Sequence, residues 1–174
     1  MNDESKLLWQ GKFLRVLKNG RWEYADRIGV TGAVVIVAVT PERRFVLIEQ
    51  YRIPVGRRVI ELPAGIAGDV PGEEDEALAN AAQRELLEET GYAASEMARL
   101  FEGPPTAGLA SEVVTFFKAF NLKKVGRGGG TGHEEIVVHE VELEKVEGWL
   151  KRKEAEGLLI DPKVYAGLYF AMRT

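Results

Sequence analysis

Apolar residues in this chain gather mostly in short, β-branched runs, with the wider spacing of helices only after a glycine-rich stretch and near the end. Lys12-Phe13-Leu14-Arg15-Val16-Leu17 mixes apolar and basic positions, Lys18-Asn19-Gly20-Arg21 turns the chain, and Trp22-Glu23-Tyr24-Ala25-Asp26 follows. That pattern predicts a hairpin with Asn19-Gly20 at its tip. The run from Gly32 to Val39 is apolar and predicts a central strand. Residues 40–44 form a turn, and strands are predicted over 45–50 and 59–62, the second ending at Pro63-Ala64-Gly65. Gly65 to Gly72 is too rich in glycine and proline for a regular element and is assigned to a loop. A helix then runs from Asp75, a candidate N-cap, to Gly91, a candidate C-cap.

Beyond that helix, strands are predicted over 100–103, 113–120 and 136–141, separated by loops at 104–111 and 126–132. Two helices close the chain. One covers 144–156 and stops at Gly157; the other opens with Asp161-Pro162, an N-cap followed by proline in the first turn. Many strands with a few interleaved helices predict an α/β or α+β sandwich.

Composition narrows the function. A chain of 174 residues is expected to make one compact domain with a sizeable core. Its net charge of -4 counts against sequence-independent binding of nucleic acid. With no cysteine, disulfides, thiolate catalysis and cysteine-ligated metal sites are excluded. The expected compartment is a reducing one, the cytoplasm, since the first residues show no secretory pattern. No apolar run is long enough to cross a bilayer, so no membrane partner is expected.

The sharpest chemical signal lies in Arg84-Glu85-Leu86-Leu87-Glu88-Glu89-Thr90-Gly91-Tyr92. At about 100° per residue, Glu85, Glu88 and Glu89 share one side of the helix with Ala77, Leu78, Ala81 and Ala82. Glu76, Asn80 and Gln83 fall on the opposite side. Clustered carboxylates repel one another unless a cation sits among them. Converging oxygen ligands suit a hard ion such as Mg2+, and that ion suits phosphate chemistry. The competing reading is a solvated acidic face with Arg84 paired to Glu88; the neighbouring alanines and leucine argue for an inward face.

The same nine residues resemble the core of the Nudix box. Glu76 fills the family's glutamate eight residues before the arginine; the glycine expected six residues earlier is replaced by Val70, with Gly65 and Gly68 nearby, so the intervening loop reads as lengthened. Ile48 to Pro54, Glu61-Leu62-Pro63-Ala64-Gly65, Pro104 to Glu112 and Asp161 to Tyr169 are similar to segments of Nudix enzymes that cleave ADP-ribose and nucleoside diphosphate sugars. The resemblance implies a Nudix α/β/α sandwich with a mixed sheet and an N-terminal β-hairpin. Residues 1–30 would form the hairpin region, with a role in dimerisation, and 31–174 the catalytic domain. It also implies a divalent cation, Mg2+ or Mn2+, a homodimer, and hydrolysis of a diphosphate linkage to a nucleoside monophosphate and a sugar phosphate. The alternative is a catalytically silent Nudix module that senses a nucleotide.

By the same resemblance, Glu85 and Glu89 are the leading metal ligands, with Glu88 sharing or orienting one, and the backbone carbonyl of Ala64 joining them. Arg84 would hold the glutamates in place. The group that orients water would come from the loop before a late strand, where Glu134 is the first candidate, Glu135 the second and His133 the third. Arg52 is read as a clamp for diphosphate, because a guanidinium matches phosphate oxygens in pairs. Glu61 and Glu112 are candidate substrate contacts, each weighed against a strand cap or a solvated surface. Trp9, Trp22 and Tyr24 either stack on a base or, the favoured reading, pack a core or interface. The glycine loop over 126–132 is read as one able to close over substrate, and His139 as structural.

Overall fold

The computed structural model describes residues 5–68, 72, 74–132 and 135–173. The predicted hairpin is present as β2 (Leu14–Asn19) and β3 (Trp22–Arg27), with Gly20 in the left-handed conformation at its turn. A strand that the periodicity did not single out, β1 (Lys6–Gln10), pairs antiparallel with β2 and completes a three-stranded sheet. Every residue of β1 is exposed.

The rest of the chain builds on β4 (Gly32–Ala38) and β5 (Arg44–Arg52). Val35 and Val37 of β4, with Phe45 and Leu47 of β5, face one core. Val34, Ile36 and Ala38, with Val46, face another. Side chains alternate across a strand, so burial on both faces requires a continuous apolar run. One four-stranded sheet has the order β7-β4-β10-β9, with β7 (Ala64–Ala67), β9 (Glu96–Gly103) and β10 (Val114–Phe120). In it β4 runs parallel to β10, while β7 and β9 are antiparallel to their neighbours. The other has the order β12-β5-β6-β13, with β6 (Arg57–Glu61), β12 (Val137–Glu142) and β13 (Leu159–Ile160). A short pair joins β8 (Tyr92–Ala93) to β11 (Lys123–Lys124).

Helix α1 (Leu78–Thr90) covers one core through Ala81, Ala82 and Leu86. Helices α2 (Val146–Ala155) and α3 (Pro162–Ala171) cover the other through Val146, Leu150, Val164 and Leu168. Gly167 lets α3 pack closely on a side chain that follows β6. A Cβ at Gly167 of α3 would sit 2.6 Å from a methyl of Leu62. The result is an α/β sandwich with mixed strand directions.

Two local expectations need correction. Residues 65–67, expected in the loop, belong instead to strand β7, because Gly65, Ile66 and Ala67 find ladder partners in β4. The glycine that marked a loop in the sequence serves instead a close approach to a side chain of α1. Helix α1 begins at Leu78 with Ala77 as its cap, and no side chain caps it, so Asp75 is not the N-cap. Glu76 therefore precedes the helix, and its placement on the polar side of α1 does not hold.

Candidate active site

The site is assembled where α1 lies against β7. Gly65 has no side chain to separate its backbone from Glu85: a Cβ there would fall 1.9 Å from the Glu85 carboxylate carbon. Four residues on, one turn along the helix, Glu89 is buried at 4% exposure, and its Oε2 accepts a hydrogen bond of 3.0 Å from the backbone N–H of Ala64. The Ala64-Gly65 backbone thus forms one wall of the site, with Glu85 and Glu89 forming the other. Glu88 is the most open of the three.

Arg84 organises the carboxylates. Its Nε and Nη2 donate to both oxygens of Glu76, at 3.2 and 3.0 Å. Nη1 donates to Glu85 at 2.9 Å and Glu88 at 3.5 Å, and Nη2 also reaches the Ile66 carbonyl of β7 at 3.0 Å. The Glu76 bonds, with the charge of Glu85, hold the guanidinium pKa above its ordinary value despite partial burial. The fork geometry explains why arginine stands here: a lysine ammonium would not bridge one strand and three carboxylates in a plane. Glu76, whose side chain is 6% exposed, is a site residue that helical periodicity missed, since a residue ahead of the helix need not follow its wheel. Its place in the box pattern was the one signal that marked it.

Other expected site residues are spread around this centre. Arg52 meets Glu61 in a two-bond fork of 2.7 and 2.5 Å. That bond raises the Arg52 pKa against its burial, with smaller help from the charges of Glu89 and Asp161. Arg52 and Glu61 line a recess of about 400 Å3 together with Asp161 and Lys163. Glu112 is ion-paired with Arg27 and lines a cavity of about 440 Å3 between the N-terminal sheet and β4. Ser111, beside it, bonds Asp26 at 2.5 Å and helps hold that carboxyl below its usual range. Glu135 is exposed and lines a separate recess with Lys124, Arg127 and Glu140, which none of the α1 glutamates lines. His133 and Glu134 lie outside the described residues, as does Val70. His139 bonds Glu49 at 2.9 Å and packs its ring on Trp149, the structural role expected for it. Trp9 and Trp22 are 58% and 57% exposed, so neither packs a core within this chain.

Among the described residues, no three His, Asp or Glu side chains converge at metal-holding distance. The carboxylates are drawn instead toward Arg84 and the Ala64 N–H. The donor set still fits a divalent ion in its chemistry: it consists of oxygens only, and Gly65 leaves a cradle that a Cβ would fill.

The Ala64-Gly65 strand and the glutamates of α1, tied together by Arg84, thus make one continuous strand-and-helix wall. The NUDIX domain profile matches residues 30–168, and the chain belongs to the Nudix family. It is 33% identical over 138 residues to a methanol dehydrogenase activator of Bacillus methanolicus, covering 79% of this chain and 72% of the relative. It is 33% identical over 158 residues to an ADP-ribose pyrophosphatase of Bacillus subtilis, covering 90% of this chain and 81% of the relative. A crystal structure of an ADP compounds hydrolase superposes with a TM-score of 0.69, covering 98% of this chain and 90% of that one, at 20% identity. That structural likeness supports the fold.

Proposed function

We propose that this protein hydrolyses the diphosphate linkage of ADP-ribose or another nucleoside diphosphate sugar, giving a nucleoside monophosphate and a sugar phosphate. The observation that carries the reading is the close packing of Glu85 and Glu89 on the Ala64-Gly65 backbone. The naming of its relatives as pyrophosphatases of ADP-ribose supports the substrate class. Other relatives are named GDP-mannose pyrophosphatases, which leaves base and sugar to the shape of the pocket.

Glu85, Glu88, Glu89 and the Ala64 carbonyl would hold Mg2+ or Mn2+. When bound, the ion polarises phosphoryl oxygens and offsets the repulsion between carboxylates and diphosphate. Arg84 and Glu76 keep the carboxylates facing β7. Arg52 spends Nε–H and one N–H of Nη2 on Glu61, which leaves the N–H groups of Nη1 and the second of Nη2 to meet phosphate oxygens. Glu112, at the mouth of the cavity against β3, would contact the sugar or base. A loop carboxylate, Glu134 or Glu135, takes the proton of the attacking water as the bond from phosphorus to the bridging oxygen breaks.

The three-stranded N-terminal sheet leaves Leu7, Trp9 and Trp22 exposed, as is Phe13 in the connection from β1 to β2, and a second copy of the chain is the proposed cover. Residues 1–30 thereby serve dimerisation and 31–174 the chemistry.

The test is hydrolysis of ADP-ribose, GDP-mannose, UDP-glucose and dinucleotides with and without metal, with products identified. Glu89→Gln should lower turnover at least about 100-fold with an unchanged circular dichroism spectrum. Near-normal turnover would reject the site. Binding of nucleotide without hydrolysis at saturating Mg2+ would favour the silent sensor.

A further inference from the structure

Helix α1 ends where the catalytic carboxylates are most concentrated, and a helix end leaves its last carbonyls without intrahelical partners. Here one segment, residues 124–130, supplies them. Gly130 N–H donates to the Glu88 carbonyl at 3.1 Å, and Gly129 N–H to the Glu89 carbonyl at 2.8 Å. The Lys124 ammonium donates to the Thr90 carbonyl at 3.0 Å. Val125 and Gly126 N–H both donate to the Gly91 carbonyl, at 2.9 and 3.1 Å. Lys124 is itself held by Glu140 at 3.1 Å and lies 4.4 Å over the Tyr92 ring.

The contact depends on glycine from both sides. A Cβ at Gly128 would fall 2.4 Å from the Thr90 carbonyl carbon and 2.7 Å from the Glu89 oxygen. One at Gly91 would fall 2.2 Å from the Gly126 oxygen. Both glycines also hold positive φ, +70° and +73°. Gly132, farther along the same loop, has φ +65° but meets nothing within 4 Å. Backbone freedom alone thus accounts for Gly132, whereas Gly128 is needed for contact with α1.

We propose that residues 124–130 form a positioning strap that fixes the backbone from which the Glu88 and Glu89 side chains spring, with Gly128 as its key residue. The inference rests on the metal-binding reading of those glutamates and adds a part to it. The strap acts through the helix rather than by touching substrate. If docking of the strap favours metal binding, metal binding must favour the docked strap to the same degree.

The experiment measures Mn2+ affinity by electron paramagnetic resonance for the wild type and three variants, together with amide hydrogen exchange of the wild type. Gly128→Ala should weaken Mn2+ binding by about tenfold or more, the range seen when groups supporting metal ligands are lost. Gly132→Ala, with comparable backbone strain and no contact, should stay within about twofold. In the wild type, Mn2+ should slow exchange at the Gly129 and Gly130 amides. That measurement decides the matter even if Gly128→Ala does not fold. Unchanged Mn2+ affinity in a folded Gly128→Ala, or exchange at those amides indifferent to Mn2+, would overturn the strap. Glu89→Gln separates the two readings: if it binds Mn2+ as tightly as the wild type, the metal site itself is misplaced and the strap's role falls with it.

Discussion

At the scale of single residues, the site depends on what is missing from Gly65 as much as on what Glu85 supplies. The cluster sits against a strand whose backbone can approach only because no Cβ intervenes. In Gly65→Ala, the Glu85 carboxylate must swing away from β7. Activity is expected to fall by about tenfold to 100-fold, and the midpoint of thermal unfolding to fall modestly as well, because the displaced carboxylate gives up its bond to Arg84. A large loss of stability with retained activity would contradict this account. Tyr92 offers a second test. Burial, aided by its bond to Glu140, pushes its pKa from 10.0 up to about 12. A raised pKa means the folded state holds the proton more tightly. Its contribution to stability is full below about pH 10 and disappears as pH rises through about 12. Denaturant titrations from pH 9 to 12 should show a steeper alkaline decline in the wild type than in Tyr92→Phe.

At the scale of elements, the two ends of a helix show how differently sequence and context can specify a boundary. Helix α3 has its own start signal. Asp161 accepts from Lys163 N–H at 2.8 Å and Pro162 occupies the first turn, as the dipeptide predicts. Asp161→Ala should cost about 1 kcal/mol in denaturant unfolding; no measurable loss would mean that packing alone sets this end. Helix α1 lacks such a signal. Its N-cap is Ala77, and the nearby Glu76 turns to Arg84 instead of capping. Its start is therefore fixed by the ion-pair network, whereas its last turn is satisfied by the glycine-rich segment. Those glycines suggested a loop able to close over substrate. Their bonds to α1 show that much of the segment is docked on the helix instead.

At the scale of the whole molecule, the N-terminal sheet stands apart from both cores. A three-stranded sheet needs an apolar face covered to be stable by itself; here the edge strand is exposed throughout, as are Trp9 and Trp22. Sedimentation across a concentration series should show a dimer. Replacing Trp9 and Trp22 together with aspartate should shift it to monomer while leaving the α/β sandwich folded. A monomeric wild type at high concentration would remove the proposed interface. Loop 104–112 is stitched to β3 through Ser111 N–H to the Ala25 carbonyl and through Arg27 with Glu112, so this sheet also forms one wall of the adjoining cavity. Among the described residues, no helix is long and apolar enough to cross a membrane.

The linear order of residues was enough to define the parts governed by local spacing. The apolar run of β4, the Asn19-Gly20 turn, the Asp161-Pro162 helix start and the inward placing of Glu85 and Glu89 all follow from periods of two or 3.6 and from backbone preference, while Glu88, read on the same inward side, stays more open. Short strands such as β1 and β7 carry no such signature, because what makes them strands is a partner far away in sequence. Whether Glu76 served Arg84 or solvent, and whether the glycine loop was free or docked, were likewise matters of long-range contact. Spacing along a chain places side chains on a face, but only folding brings a second face against it, and here that second face is the Ala64-Gly65 backbone.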